Sequence, residues 1–191
     1  MHTVTIHELA EGLKQLADHE FDCEGVYDFL SGHQVTAESI EKYLFWSDNF
    51  YTRNLVYKDE RFEMMIICWE KGQASRIHNH NDQKCWMMVP IGRLRGQNFA
   101  VVEMDAQRGY CKLSETNMFD LSDCLAAKVD LEEPVHQVIN MPEFDERAAS
   151  IHIYSKPYDK CLSYCRDTDT FKEVDLFYTS IDGKLCDGIE L

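Results

Sequence analysis

The 191 residues predict a mainly-β protein: a single small β-barrel or jelly roll preceded by a helical layer. Two observations carry this. Residues 4–46 repeat their apolar side chains at a helical period, whereas from Phe62 onward β-branched and aromatic residues come in short runs between turn signals. Helices come first and strands after, which argues against alternating βαβ units. The length fits one domain, expected to span 1–191, with the helical layer at 1–46, the barrel at about 62–180 and a C-terminal tail at 181–191.

Each element has a local reason. Thr5 with Glu8 makes a capping box, and Ile6, Leu9, Ala10, Leu13, Leu16 and Ala17 trace one helical stripe behind it. A second helical piece covers 26–30, the pair Ser31-Gly32 breaks it, and a third covers 36–44. Strands are expected at 62–70, 84–91, 97–103, 135–141, 148–154 and 174–179. Lys71-Gly72, the stretch 79–82, Arg108-Gly109 and Asp182-Gly183 supply turns between them.

Composition excludes several classes. With 45% hydrophobic and 12% aromatic residues, the chain has enough apolar surface to offset the entropy of ordering. Nineteen Lys and Arg against 34 Asp and Glu give a net charge of −15. There is no basic stripe, so neither nucleic acid nor an anionic membrane is an expected partner. No apolar run approaches the roughly 20 residues of a membrane span, and Glu8, Glu11 and Lys14 interrupt any secretory h-region. A cytoplasmic monomer is expected. The eight cysteines form no regular framework and no Cys-x-x-Cys, so they read mainly as small core residues, Cys85 excepted.

The chemistry begins at His78-Asn79-His80. On a strand, positions i and i+2 project to one face, so both imidazoles can reach one point while Asn79 turns away. Gly72 lies six residues before His78, Cys85 five after His80, and Gly92 seven after Cys85. That spacing is similar to the first motif of the cupin superfamily, with Cys85 where a carboxylate ligand usually stands. The second cupin motif is echoed more loosely by Pro134, His136 and Asn140, without the usual Gly between Pro and His. Three neutral imidazoles leave a divalent metal its full charge and open positions, which favours anionic ligands such as a thiolate. Histidines alone do not select iron over zinc or nickel.

Two further groups of residues admit two readings each. In 150–154 the alternation puts Ser150, His152 and Tyr154 on one face and Ile151 with Ile153 on the other. Those polar residues either meet solvent or form a relay in which Ser150 orients His152 and His152 holds the Tyr154 phenol. In 51–55, Arg53 is either a solvated charge or a bidentate grip for a substrate carboxylate.

Together these residues resemble cysteine dioxygenase, the eukaryotic type of cupin thiol dioxygenase. The similarity covers nearly the whole chain and is densest at 51–56, 66–69, 77–80 with Cys85, His136 and 150–154. It implies a mononuclear Fe(II) enzyme that adds both atoms of O2 to the sulfur of L-cysteine, giving cysteine sulfinic acid. By this resemblance His78, His80 and His136 bind iron, L-cysteine chelates it through thiolate and amine, and Arg53 with Tyr51 holds the carboxylate. Tyr154 hydrogen-bonds to substrate or bound oxygen, positioned by His152 and Ser150. In this family the cysteine at the Cys85 position forms a thioether with the strand tyrosine, here Tyr154. A locked phenol would have one torsion fewer to freeze when substrate binds. Cys161 aligns with a family cysteine near the pocket and reads as wall.

One departure stands beside Tyr154. Relatives commonly carry Ser-Pro-Pro after the tyrosine, but here Ser155-Lys156-Pro157 follows. A cis Ser-Pro bond is impossible at that turn, and a cis Ser-Lys bond would cost about 2.5–4 kcal/mol. Rival readings are a thiol dioxygenase acting on 3-mercaptopropionate or cysteamine, and a non-catalytic metal-binding cupin. The mercaptopropionate type usually carries Gln at the Arg53 position and lacks the crosslinking cysteine; for cysteamine, which has no carboxylate, an Arg would serve nothing.

Overall fold

A computed structural model describes residues 1–19, 21–129 and 134–191. The N-terminal layer runs β1 (His2–Val4), α1 (Ile6–Ala17), α2 (Cys23–Ser31), β2 (His33–Val35) and α3 (Ala37–Ile40). The capping box forms: Glu8 N–H donates to Thr5 Oγ1 at 3.2 Å and Thr5 N–H donates to Glu8 Oε2 at 2.7 Å. Asp22 caps α2 by accepting from Gly25 N–H at 2.7 Å. β1 and β2 pair in parallel, a small addition to the expected helices.

The strands that follow are β3 (Thr52–Lys58), β4 (Glu63–Trp69), β5 (Ile77–His78), β6 (Cys85–Ile91), β7 (Leu94–Asp105) and β8 (Tyr110–Leu121). Then come β9 (Ala126–Lys128), β10 (Val135–Ile139), β11 (Ala148–Tyr154), β12 (Lys160–Cys165), β13 (Thr170–Asp175), β14 (Ser180–Ile181) and β15 (Lys184–Leu185). One sheet has the order β15-β14-β3-β4-β11-β6-β9, and the other closes on itself as β10-β5-β12-β13-β8-β7.

Several boundaries differ from the sequence expectation. The β region begins at Thr52, not near 62. The supposed C-terminal tail returns to the sheet, where β14 pairs in parallel with β3. The strand expected at 174–179 is displaced to β13, while β8 and β12 went unpredicted.

The seven-stranded sheet is covered on both faces, and strand alternation decides what meets what. Its outer face sends Met64, Ile66, Trp86, Ile151 and Ile153 against Leu9, Leu13, Val26 and Leu30 of the helices. Its inner face packs Met65, Ile67, Trp69, Cys85 and Tyr154 against Val138, Tyr158 and Cys161 from the other sheet side. All eight cysteines are free, and five of them, including Cys85 and Cys161, are buried. Among the described residues no helix is long and apolar enough to cross a membrane.

Candidate metal centre and active site

The three histidines converge. Their ligand atoms lie within 4.8 Å of one another, and His80 Nε2 stands 3.1 Å from His136 Nε2. The route differs from the expected strand pair: β5 ends at His78, which pairs in register with His136, and His80 arrives from the turn beyond it. Asn79 does turn away, its Oδ1 accepting from Leu162 N–H at 2.9 Å. Gly72 and Gly92 bound this motif, both with positive φ. At Gly92 a Cβ would stand 2.4 Å from the Arg147 carbonyl oxygen, so the position admits no side chain.

The donor set fits a divalent cation. Burial drives the three imidazoles towards neutrality, with His78 lowered to about 4 and His80 and His136 well below the ordinary histidine range. His78 Nδ1 donates to the Arg76 carbonyl at 2.8 Å, which leaves its Nε2 lone pair free to bind. Two imidazole nitrogens about 2.1 Å from one ion at a right angle would stand about 3 Å apart, matching the His80–His136 spacing. Asn140 is no ligand. Its Nδ2 donates to the carbonyls of Trp69 at 3.2 Å and Glu146 at 2.9 Å, fastening β10 to β4 and to the loop before β11.

Beside this cluster the polar face of β11 is buried and does not meet solvent. His152 Nε2 lies 2.9 Å from Ser150 Oγ, and Tyr154 Oη lies 3.2 Å from His152 Nδ1. Trp69 Nε1–H also donates to Ser150 Oγ, at 2.9 Å. Counting donors assigns the tautomer. Trp69 can only donate, and Ser150 is fully buried off the cavity while Tyr154 lines it, so satisfying both hydroxyls gives the Ser150 proton to His152 Nε2. His152 then carries its proton on Nδ1 and donates it to the Tyr154 oxygen. The phenolic hydroxyl then faces the cavity, where the Tyr158 hydroxyl is its other hydrogen-bond neighbour. Burial keeps His152 neutral, lowering it to about 3, and holds the Tyr154 phenol protonated.

Tyr51, Arg53, His78, His152, Tyr154 and Tyr158 share one cavity wall. Arg53 is only 8% exposed. Burial works against its charge, yet Tyr154, Tyr158 and Glu63 outweigh that and keep it a guanidinium. Its Nη1 is buried without a hydrogen-bond partner. The Tyr51 ring stacks on Trp69 with centroids 4.6 Å apart. Cys85 and Tyr154 are direct cross-strand partners between β6 and β11, and burial raises both the thiol and the phenol. Cys161 lines the cavity, as its reading as wall implies. The turn after Tyr154 is tied to the start of β6: Ser155 N–H donates to the Lys84 carbonyl at 3.0 Å, and Lys84 N–H to Ser155 Oγ at 2.9 Å. No cis peptide bond occurs among the described residues.

Sequence reasoning did not assign Trp69, Tyr158, Glu63 or Tyr178 to this region. The first three lie on or beside strands whose pattern marks them as core, and only the fold shows which polar atoms they bring.

A metal-type three-histidine cluster in a two-sheet barrel defines a cupin. The chain matches the family described as cysteine dioxygenase type I over residues 1–167. It belongs to that family, and is an oxidoreductase of the dioxygenase kind. Cysteine dioxygenase type 1 of Danio rerio is 27% identical over 187 residues, covering 94% of this chain and 89% of the relative. The proteins of the same name from Bos taurus and Homo sapiens are 29% and 28% identical, covering 86% and 92% of this chain and 80% and 86% of theirs. Solved structures overlap it partially. BH2720 from Bacillus halodurans has a TM-score of 0.46 at 15% identity, covering 65% of this chain and 81% of that one.

Proposed function

We propose that this protein oxidises L-cysteine with O2 to cysteine sulfinic acid, using Fe(II) held by His78, His80 and His136. The observation that carries the reading is Arg53: a buried cation with an unpartnered Nη1, lining the same cavity as His78, His152 and Tyr154. A buried donor left unpaired penalises ligands that cannot satisfy it, so a thiol bearing a carboxylate is favoured over cysteamine. When bound, iron supplies ligation of the substrate thiolate and activation of O2.

The protein's own residues do the rest. Arg53, with Tyr51 beside it, fixes the carboxylate and so orients the sulfur toward the three histidines. His152 holds the Tyr154 oxygen by its Nδ1–H, so the phenol presents its proton to substrate or oxygen without rotating. Ser150, itself held by Trp69, keeps His152 in that tautomer. Cys85, directly across from Tyr154, is placed to form the thioether that would freeze the ring. The setting we propose is a cytoplasmic monomer.

The test is sulfinate formation under air by Fe(II)-loaded protein, with L-cysteine and 3-mercaptopropionate supplied separately and products identified by mass. Strong preference for L-cysteine is expected. Preference for 3-mercaptopropionate overturns the substrate assignment. Turnover of neither, with iron verified in the protein, favours a metal-binding cupin without catalysis.

A further inference from the structure

The Arg53 side chain reaches its position without an acidic partner: among the described residues none lies within 4.0 Å of it as an ion pair. A long, charged side chain with one free end has several rotamers, so something else must hold it where a carboxylate can be gripped. The stretch 178–180 does this at two levels. Thr179 N–H donates to the Arg53 carbonyl at 2.7 Å, and Arg53 N–H donates to Thr179 Oγ1 at 3.0 Å. Ser180 pairs with Asn54 in register, its Oγ donating to Asn54 Oδ1 at 2.8 Å. The backbone of the arginine is thus clasped residue by residue.

Its side chain meets the Tyr178 ring, with Arg53 Cζ 5.8 Å from the ring centroid, within reach of a cation–π contact. Tyr178 is itself tethered by its hydroxyl, which donates to Glu63 Oε2 and accepts from Lys58 Nζ at 3.1 Å. Lys58 and Glu63 face each other across β3 and β4. Glu63 is fully buried and its Oε1 lacks a hydrogen-bond partner, an arrangement that costs stability. Its other oxygen, Oε2, holds the Tyr178 phenol whose ring lies against Arg53. The family match ends at residue 167, so this segment lies beyond it.

Building on the assignment of Arg53 to the substrate carboxylate, we infer that Tyr178 is a positioning residue for Arg53, tethered by Glu63 and Lys58, and so a determinant of carboxylate specificity. Tyr178 does not touch the histidines; it acts through the guanidinium.

The test compares equilibrium binding of L-cysteine and cysteamine to Fe(II)-loaded protein without oxygen, by calorimetry, for parent, Tyr178→Leu, Tyr178→Phe and Arg53→Ala. Thermal unfolding of each variant reports folding. Loss of the ring is expected to weaken L-cysteine about fivefold while leaving cysteamine within about twofold. The untethered ring of Tyr178→Phe is expected to weaken L-cysteine roughly threefold with cysteamine unchanged, and decides the matter alone if the leucine variant does not fold. Equal weakening of both thiols, or L-cysteine binding unchanged, overturns the inference while a selective effect of Arg53→Ala leaves the carboxylate assignment standing. An Arg53→Ala variant that discriminates the two thiols as the parent does overturns both.

Discussion

Ser150 is the hub on which the relay depends, and Ser150→Ala tests it most directly. The hydroxyl is fully buried and serves two neighbours, Trp69 Nε1 at 2.9 Å and His152 Nε2 at 2.9 Å. Truncation leaves the indole N–H, on a side chain only 1% exposed, with no acceptor. An orphaned buried donor costs about 1–3 kcal/mol and the lost serine–histidine bond about 1 kcal/mol, so a loss of roughly 2–4 kcal/mol is expected. For a chain of this size that lowers Tm by roughly 5–15 °C. Urea unfolding of Ser150→Ala, Trp69→Phe and the double variant separates this from cavity effects. The double variant has no orphaned indole, so it should be more stable than the sum of the singles by about 1 kcal/mol or more. A single-variant cost below about 0.5 kcal/mol, or an additive cycle, would refute the hub. The same variant should lose activity beyond its loss of stability, because neutral His152 is then free to carry its proton on Nε2 and stop donating to Tyr154.

Other expectations follow from the same geometry. His136→Ala should leave protein that folds but retains less than about a tenth of the parent's iron by elemental analysis, since two imidazoles remain from a site that needs three. Cys85→Ser should keep its iron and part of its activity, and its intact mass should never show the loss of two hydrogens that marks the thioether; loss of the iron instead would make Cys85 a ligand. Gly92→Ala, forcing a Cβ against the Arg147 carbonyl at positive φ, should cost about 2–3 kcal/mol in urea unfolding. Burial opposes ionisation of Asp59, yet Arg61 and the N–H groups of Phe62 and Arg61 bring its carboxyl from the ordinary 3.8 to about 2. A carboxyl lowered on folding stabilises above its unfolded value and loses that contribution as pH falls through its folded one. Asp59→Asn should therefore be less stable than the parent at neutral pH, with the gap closing between pH 3.8 and about 2.

How much of this was legible depended on whether a residue's burial followed its polarity. β11 was readable to the residue because Ile151 and Ile153 alternate with polar neighbours, and its polar side faces a cavity in the protein. β3 was not, because Thr52, Arg53 and Asn54 are all buried despite their polarity. β8 escaped for the opposite reason: most of its residues are exposed, so no apolar run marked it. The three histidines showed in their spacing, although β5 is too short for the strand argument and the turn at His80 does the remaining work. Glu63 looked like the polar start of a core strand, and Tyr178 like one more aromatic; that the two share a hydrogen bond 115 residues apart is a product of the fold alone.

The helical layer lies on the far side of β11 from the cavity, yet it sets which side chains face that cavity. All seven residues of β11 are buried, three of them (Ala149, Ile151 and Ile153) in the core shared with the helices. Sliding that strand by one residue would carry Ile151 and Ile153 to the cavity side and drive Ser150, His152 and Tyr154 among the leucines of α1 and α2. The fit of Leu9, Leu13 and Leu30 against the two isoleucines therefore indexes β11, as a detent indexes a dial. Loosening it would blur the alignment of Tyr154 with Cys85 and with the cavity while the barrel itself still stood.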